Sequence, residues 1–169
     1  MMRAWRRAGR RLAAKPAFDV RWTRVCFCGQ ETEGGAVAEE PSVGFPFLTG
    51  SEENRGPLYD ETHVNHEGNR LPADMGAQGR KIQALGPPEA TFPTAVPLMT
   101  IRLGDRLLAS VPGEMSVEMG RRTRTAVLGA ARPLGVRRVV LAGYANEYVH
   151  YFVTPEEYEQ QHYEGGSTL

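Results

Sequence analysis

The sequence predicts an α/β fold of mixed layers (α+β), and three stretches carry that expectation. "VPLMTIRLGDRLLASVPG" reads as two strands joined at Gly104–Asp105, a familiar tight-hairpin neighbourhood. "VRRVVLAG" is short and nearly all apolar, the pattern of a strand buried on both faces. "YFVTPEEYEQQHYE" supplies a helix with a marked start: Thr154 is a good N-cap, Pro155 suits the first turn, and Glu157 stands where a capping box requires it. A further helix lies between hairpin and strand, so hairpin, helix, buried strand and helix build an α/β layer.

The elements follow in order. Residues 1–17 form a basic arm: from Met1 to Lys15 there are five arginines, one lysine and no acid. The arm has the charge of a targeting leader but lacks the apolar core of a secretory signal. It fits a solvated basic helix or an amphipathic arm for anionic lipid or nucleic acid. Residues 18–169 form one domain, and the 169-residue chain is long enough to bury a core. "FDVRWTRVCF" alternates Phe18, Val20 and Trp22 and reads as a strand. Cys26 and Cys28 alternate on that strand, so they face opposite ways and are expected to be buried, apolar and unbridged.

Residues 41–95 are loop-rich, with Gly and Pro recurring throughout. A stretch of that length usually covers something or packs on something else. "GEMSVEMGRRTRTAVLGAA" then reads as a helix with Met115, Met119, Ala126 and Ala130 on one stripe. Glu114 stands at its start, where the macrodipole favours a carboxylate. No segment reaches the roughly 20 apolar residues that a membrane-spanning helix needs. The net charge is zero, which says nothing about partners.

The most unusual feature is at the end. Tyr144, Tyr148, Tyr151, Tyr158 and Tyr163 crowd into "LAGYANEYVHYFVTPEEYEQQHYEGGSTL", with only Tyr59 elsewhere. Amphipathic core packing is one reading of these phenols. A ligand-binding edge is the other, because loops off α/β strands are where ligands bind.

"SVPGEMSVEMGRR" followed by "RVVLAGYANEYVHYFVTPEEYEQQHYEGGSTL" resembles the neutral (non-lysosomal) ceramidases, zinc amidases that split ceramide into sphingosine and fatty acid. "VGFPFLTGSEENRGP" looks like a degraded form of the glycine-rich stretch of that family. The resemblance runs from about Phe18 to the end and is firmest from Val96. It implies that Glu114 and Tyr151 are zinc ligands and that Tyr163 is a catalytic phenol facing the scissile amide. It also implies one zinc ion, a ceramide-like lipid substrate, and a hydrolase acting on linear amides. A membrane surface is a possible partner and no nucleic acid is expected. Family members are typically secreted or at the cell surface.

The family's remaining zinc ligands are histidines in an N-terminal region, and its proposed catalytic serine also lies upstream. Neither has a counterpart here, so the chain resembles an internal part of the catalytic domain. His63 and His66 offer an H-x-x-H pair as local substitutes, His150 adjoins Tyr151, and His162 decorates the last helix. Two functions therefore compete: a ceramidase-like zinc amidohydrolase, or a non-catalytic fragment or subunit needing a partner that carries the histidines and serine. A third is a binding module resting on the basic arm. Apolar surface left uncovered predicts self-association.

Overall fold

The computed structural model describes residues 2–10, 12, 14–32, 35–61, 66–72, 78–85 and 92–169. In chain order the elements are α1 (Met2–Gly9), β1 (Phe18–Cys26), β2 (Glu31–Thr32), β3 (Gly35–Ala36), β4 (Val43–Gly44), α2 (Pro46–Thr49), β5 (Gln83–Leu85), β6 (Ala95–Leu103), β7 (Arg106–Ser110), β8 (Glu114–Met115), α3 (Val117–Ala131), β9 (Arg138–Ala142), β10 (Tyr151–Phe152), α4 (Pro155–Gln160) and α5 (Tyr163–Gly166). The expected mixed α/β layering forms. The main sheet has the order β1-β6-β7-β9. β6 and β7 make the hairpin around Gly104–Asp105, with Leu103 opposite Arg106. β7 then pairs in parallel with β9, and α3 is the crossover between them.

One face of the sheet holds the core. Leu107 and Val139 are register partners and pack with Ala131 and Val136, while Val127 and Leu128 of α3 close over them. The apolar stripe of α3 is therefore Val127, Leu128 and Ala131, whereas Ala126 and Ala130 of the expected stripe face solvent. Small alanines fit either face of a helix, so their spacing says little about which face is buried.

Among the described residues, nothing buries the other face. Val20, Ile101, Leu108 and Val140 stand in one row across four strands. Trp22 is 61% exposed and Val140 is 57% exposed. β9 is thus buried on one face only and sits at the sheet edge, contrary to the two-sided burial expected of it.

Two further expectations are corrected. Cys26 and Cys28 are disulfide-bonded and only partly buried. β1 ends at Cys26, so strand alternation no longer governs Cys28, and the Cα atoms lie 5.3 Å apart, within bridging range. Glu114 is not in the first turn of a helix. It lies in β8, and α3 starts after Ser116, whose hydroxyl accepts the Met119 N–H as the true cap.

The last segment breaks in two. The capping box forms as expected: the Thr154 hydroxyl accepts from Glu157 N–H, and the Glu157 carboxylate accepts from Thr154 N–H. Gln161 turns left-handed at φ 52°, ending α4 and placing Tyr163 in the separate helix α5. Glu157 does a second job, accepting the Ser116 hydroxyl at 2.6 Å. One carboxylate thereby ties the N-termini of α3 and α4. Its burial pushes its pKa up, but hydrogen bonds from Ser116 and Thr154 outweigh that and hold it below the usual carboxylate range.

Those donors favour the ionised form, so the stability they contribute is present above the unfolded-state pKa of about 4.3. It is lost as pH falls through the lower folded-state value. Glu157→Ala should lower unfolding free energy by about 1–3 kcal/mol at neutral pH. Denaturant melts from pH 7 to 3 check this. The gap between variant and wild type should narrow in acid, and a gap constant with pH would count against the charged tie.

Candidate functional site

The site is framed by the segment after β7. Val111 N–H donates to Ala142 O, Val149 N–H to Pro112 O, and Glu114 N–H to His150 O at 2.8 Å. Ser116 N–H continues the ladder to Phe152 O at 3.1 Å. Residues 111–116 are thus zipped along residues 142–152. Gly113 allows the approach: a Cβ there would lie 2.4 Å from His150 O and 2.9 Å from the Phe152 ring. This is why a glycine sits between Pro112 and Glu114.

The ladder is parallel, and its register sets Tyr151 opposite Glu114. Directly opposed residues of a ladder project to the same side. Two of the three candidate site residues, far apart in sequence, therefore share one face. The third joins them from α5: the Tyr163 and Tyr151 rings meet edge to face at 5.6 Å. Tyr163 is held by its backbone, whose N–H donates to the Glu67 carboxylate at 2.9 Å. Glu67 also accepts the Glu52 N–H at 2.5 Å and is nearly buried.

Tyr148 is a site neighbour whose role the sequence did not disclose. Its hydroxyl donates to Glu114 Oε1 at 2.5 Å, and Tyr144 stacks on its ring at 5.8 Å. On a regular strand Tyr148 and Tyr151 would face opposite ways. His150 takes φ 60°, a left-handed conformation unusual for a side-chain-bearing residue, and this breaks the alternation so that both phenols serve the Glu114 side. The sequence signal for Tyr148 was its place among the crowded tyrosines of the last segment.

The electrostatics of the cluster have one sign. Burial first, then Glu114, Tyr163, Tyr148 and Glu164, push the Tyr151 phenol well above its ordinary value. Burial and the Glu114 hydrogen bond do the same to Tyr148, and the hydrogen bond to Glu114 is the main cause at Tyr144. The charges acting on these phenols are all acidic, and a cation among them would be favoured. Zinc accepts carboxylate oxygen, and a cation's charge favours a phenol as its deprotonated ligand form. Among the described residues, however, no group of three His, Cys, Asp or Glu is placed to hold a metal. The donor set fits part of a zinc site.

Among the described residues, the histidines do not extend it. The His150 ring is buried against Phe47 at 4.8 Å and Phe92 at 5.4 Å, and burial lowers its pKa. His66 stacks on Tyr59 at 3.9 Å. His63 lies outside the described residues. His162 stands at the N-cap position of α5 without a side-chain cap bond, and its ring is 3.7 Å from Glu67.

Residues 30–169 match the family described as "Neutral/alkaline non-lysosomal ceramidase, N-terminal". The chain belongs to this family. It is 48% identical over 77 residues to the neutral ceramidase of Pseudomonas aeruginosa, covering 46% of this chain and 12% of that protein. With the neutral ceramidase of Drosophila melanogaster it shares 31% identity over 148 residues, covering 77% of this chain and 21% of that protein. A solved structure described as ceramidase complexed with C2 matches 90% of this chain and 27% of its own, with TM-score 0.68 and 30% identity. The chain therefore spans between about an eighth and a fifth of the length of these two curated ceramidases.

Replacing Glu114 by Gln removes the charge behind the raised phenols. Tyr144, whose shift comes mainly from Glu114, should return closest to the ordinary value of about 10, while Tyr148 should fall less because burial comes first there. Alkaline titration of tyrosine absorbance in Glu114→Gln, with Tyr144→Phe and Tyr148→Phe for assignment, measures both. Unchanged titration of both phenols would mean that Glu114 does not act on them.

Proposed function

We propose that this chain supplies the carboxylate–phenol part of a zinc amidohydrolase site that cleaves the N-acyl amide of ceramide into sphingosine and fatty acid. The observation that carries this reading is the β8–β10 register, which sets Glu114 and Tyr151 side by side in an acidic, phenol-rich cluster. Family membership and the ceramidase names of its relatives supply the substrate class.

Each residue has work suited to its chemistry. Glu114 offers a carboxylate oxygen, held in place by the Tyr148 hydroxyl and by its own strand pairing. Tyr151 offers a phenol oxygen that a nearby cation would stabilise as phenolate. A bound zinc would polarise the amide carbonyl and lower the pKa of its water to about 7. Tyr163, in edge contact with Tyr151, is placed to donate a hydrogen bond to the oxyanion that develops at the attacked carbonyl. With only two such oxygen donors, the described residues favour a site completed by histidines from outside them.

Metal analysis and zinc titration of the purified chain test the reading beside Glu114→Ala and Tyr151→Phe. Each substitution should weaken zinc at least roughly tenfold. If zinc binds tightly and ignores both changes, the assignment fails. Where ceramide hydrolysis is measurable, Tyr163→Phe should reduce it by about 10²–10³.

The lipid substrate also gives α1 a role. At roughly 3.6 residues per turn, Arg3, Arg6 and Arg7 fall on one face and Ala4, Trp5 and Ala8 on the other, and the whole helix is exposed. That arrangement suits the headgroup region of an anionic membrane. Sedimentation with phosphatidylserine-containing vesicles should show salt-sensitive binding. Changing the three arginines to Glu should abolish it, and equal binding to neutral vesicles would rule the role out.

A further inference from the structure

Lys81 is almost wholly enclosed, at 1% exposure, and heads the large buried side chains of the described residues. No described carboxylate pairs with it. Its ammonium instead meets oxygens from three separate segments: Ser42 O at 2.9 Å, Gln78 Oε1 at 3.3 Å, and Thr168 O. Tyr158 places its ring 5.3 Å from the same Nζ, within cation–π range, and donates its hydroxyl to Gln78 O at 2.7 Å. Burial pulls the Lys81 pKa down to about 7. Three acceptors nevertheless match the three N–H groups of an ammonium, and a neutral amine has only two. The surroundings are built for the charged form.

The segment that Lys81 grips leads directly to the site. Thr168 bridges His150 in antiparallel fashion and Tyr151 in parallel fashion. Close packing fixes it there: a Cβ on Gly166 would lie 2.5 Å from the Pro46 ring, and one on Gly44 would lie 2.6 Å from Gly166 O. The path from Nζ to the proposed ligand is one carbonyl and one bridge.

We propose that Lys81 is a positioning residue for Tyr151: its buried ammonium holds the Thr168 carbonyl, and Thr168 sets the backbone from which the Tyr151 phenol projects. The consequence for metal binding rests on the zinc reading above, but the geometry does not. A hydrogen-bonded, desolvated cation fixes its acceptors more tightly than a neutral amide does, and a metal-ligating oxygen tolerates little displacement. Lys81 therefore couples Ser42 and Gln78 to the site without touching it.

Fluorine NMR of the chain labelled with 3-fluorotyrosine tests this without any metal. Tyr151→Phe assigns the Tyr151 signal and Tyr144→Phe assigns an exposed reference. Lys81→Met keeps the stem and removes the charge, while a chain ending at Ser167 keeps the lysine and removes the Thr168 carbonyl. We expect both variants to shift the Tyr151 signal by more than its linewidth, leave Tyr144 in place, and show no further shift when combined. A Tyr151 signal unmoved in either folded variant overturns the proposal. So does movement of every signal including Tyr144, which would mark general loosening. If Lys81→Met fails to fold, Lys81→Gln, which keeps a donor and removes the charge, is read in its place. A result in favour beside zinc that ignores Tyr151→Phe would sink the metal assignment and leave the positioning intact.

Discussion

The arrangement of this chain depends on one short parallel ladder. β8 and β10 exchange few hydrogen bonds, but every other part of the site is referred to them. The ladder sets Glu114 beside Tyr151. It ends at Ser116 and Phe152, so it also fixes where α3 and α4 begin, and Glu157 then ties those two beginnings together. Parallel pairing of such short strands is weak by itself. It persists because Gly113 admits the backbone of His150 and because the flanking residues 111–112 extend the zipper.

The site concentrates negative charge and polar oxygen on one edge of a chain whose net charge is zero. Arginines are plentiful, yet they act elsewhere. Arg121 and Arg122 pair with Glu118 on the outer surface of α3, and Arg24 grips Glu147 at 2.7 Å beside the loop that carries Tyr148. With bases paired elsewhere, the charges that act on the Tyr148 and Tyr151 phenols are acidic ones.

Much of this was legible in the sequence. The hairpin at Gly104–Asp105 and the capping box at Thr154 and Glu157 are local signals with local causes, and both form. The motif resemblance named Glu114, Tyr151 and Tyr163, and these three converge. What failed to read depends on tertiary context. The burial of β9 depends on what covers it, and its apolar run does not reveal that one face is bare. The stripe on α3 was misplaced because alanine and glycine are compatible with either face. Cys28 left the strand rule at the residue where β1 stops. Tyr148 joined the site through a left-handed His150, a conformation that residue type does not announce. Glu67 and Lys81 sit in loops without periodicity, and only folded proximity shows what they hold.

The sheet also orders its own assembly. β6, β7, α3 and β9 follow one another closely, so their contacts form with small loop-closure entropy. β1 is different: Phe18 must find Leu103 and Cys26 must find Ala95, across the whole loop-rich region. Contact order therefore favours the local unit forming first, with β1 docking onto the open edge of β6 after it. During that interval the free side of β6 is an apolar edge strand, and a nascent or crowded chain is most exposed there to pairing with the wrong neighbour.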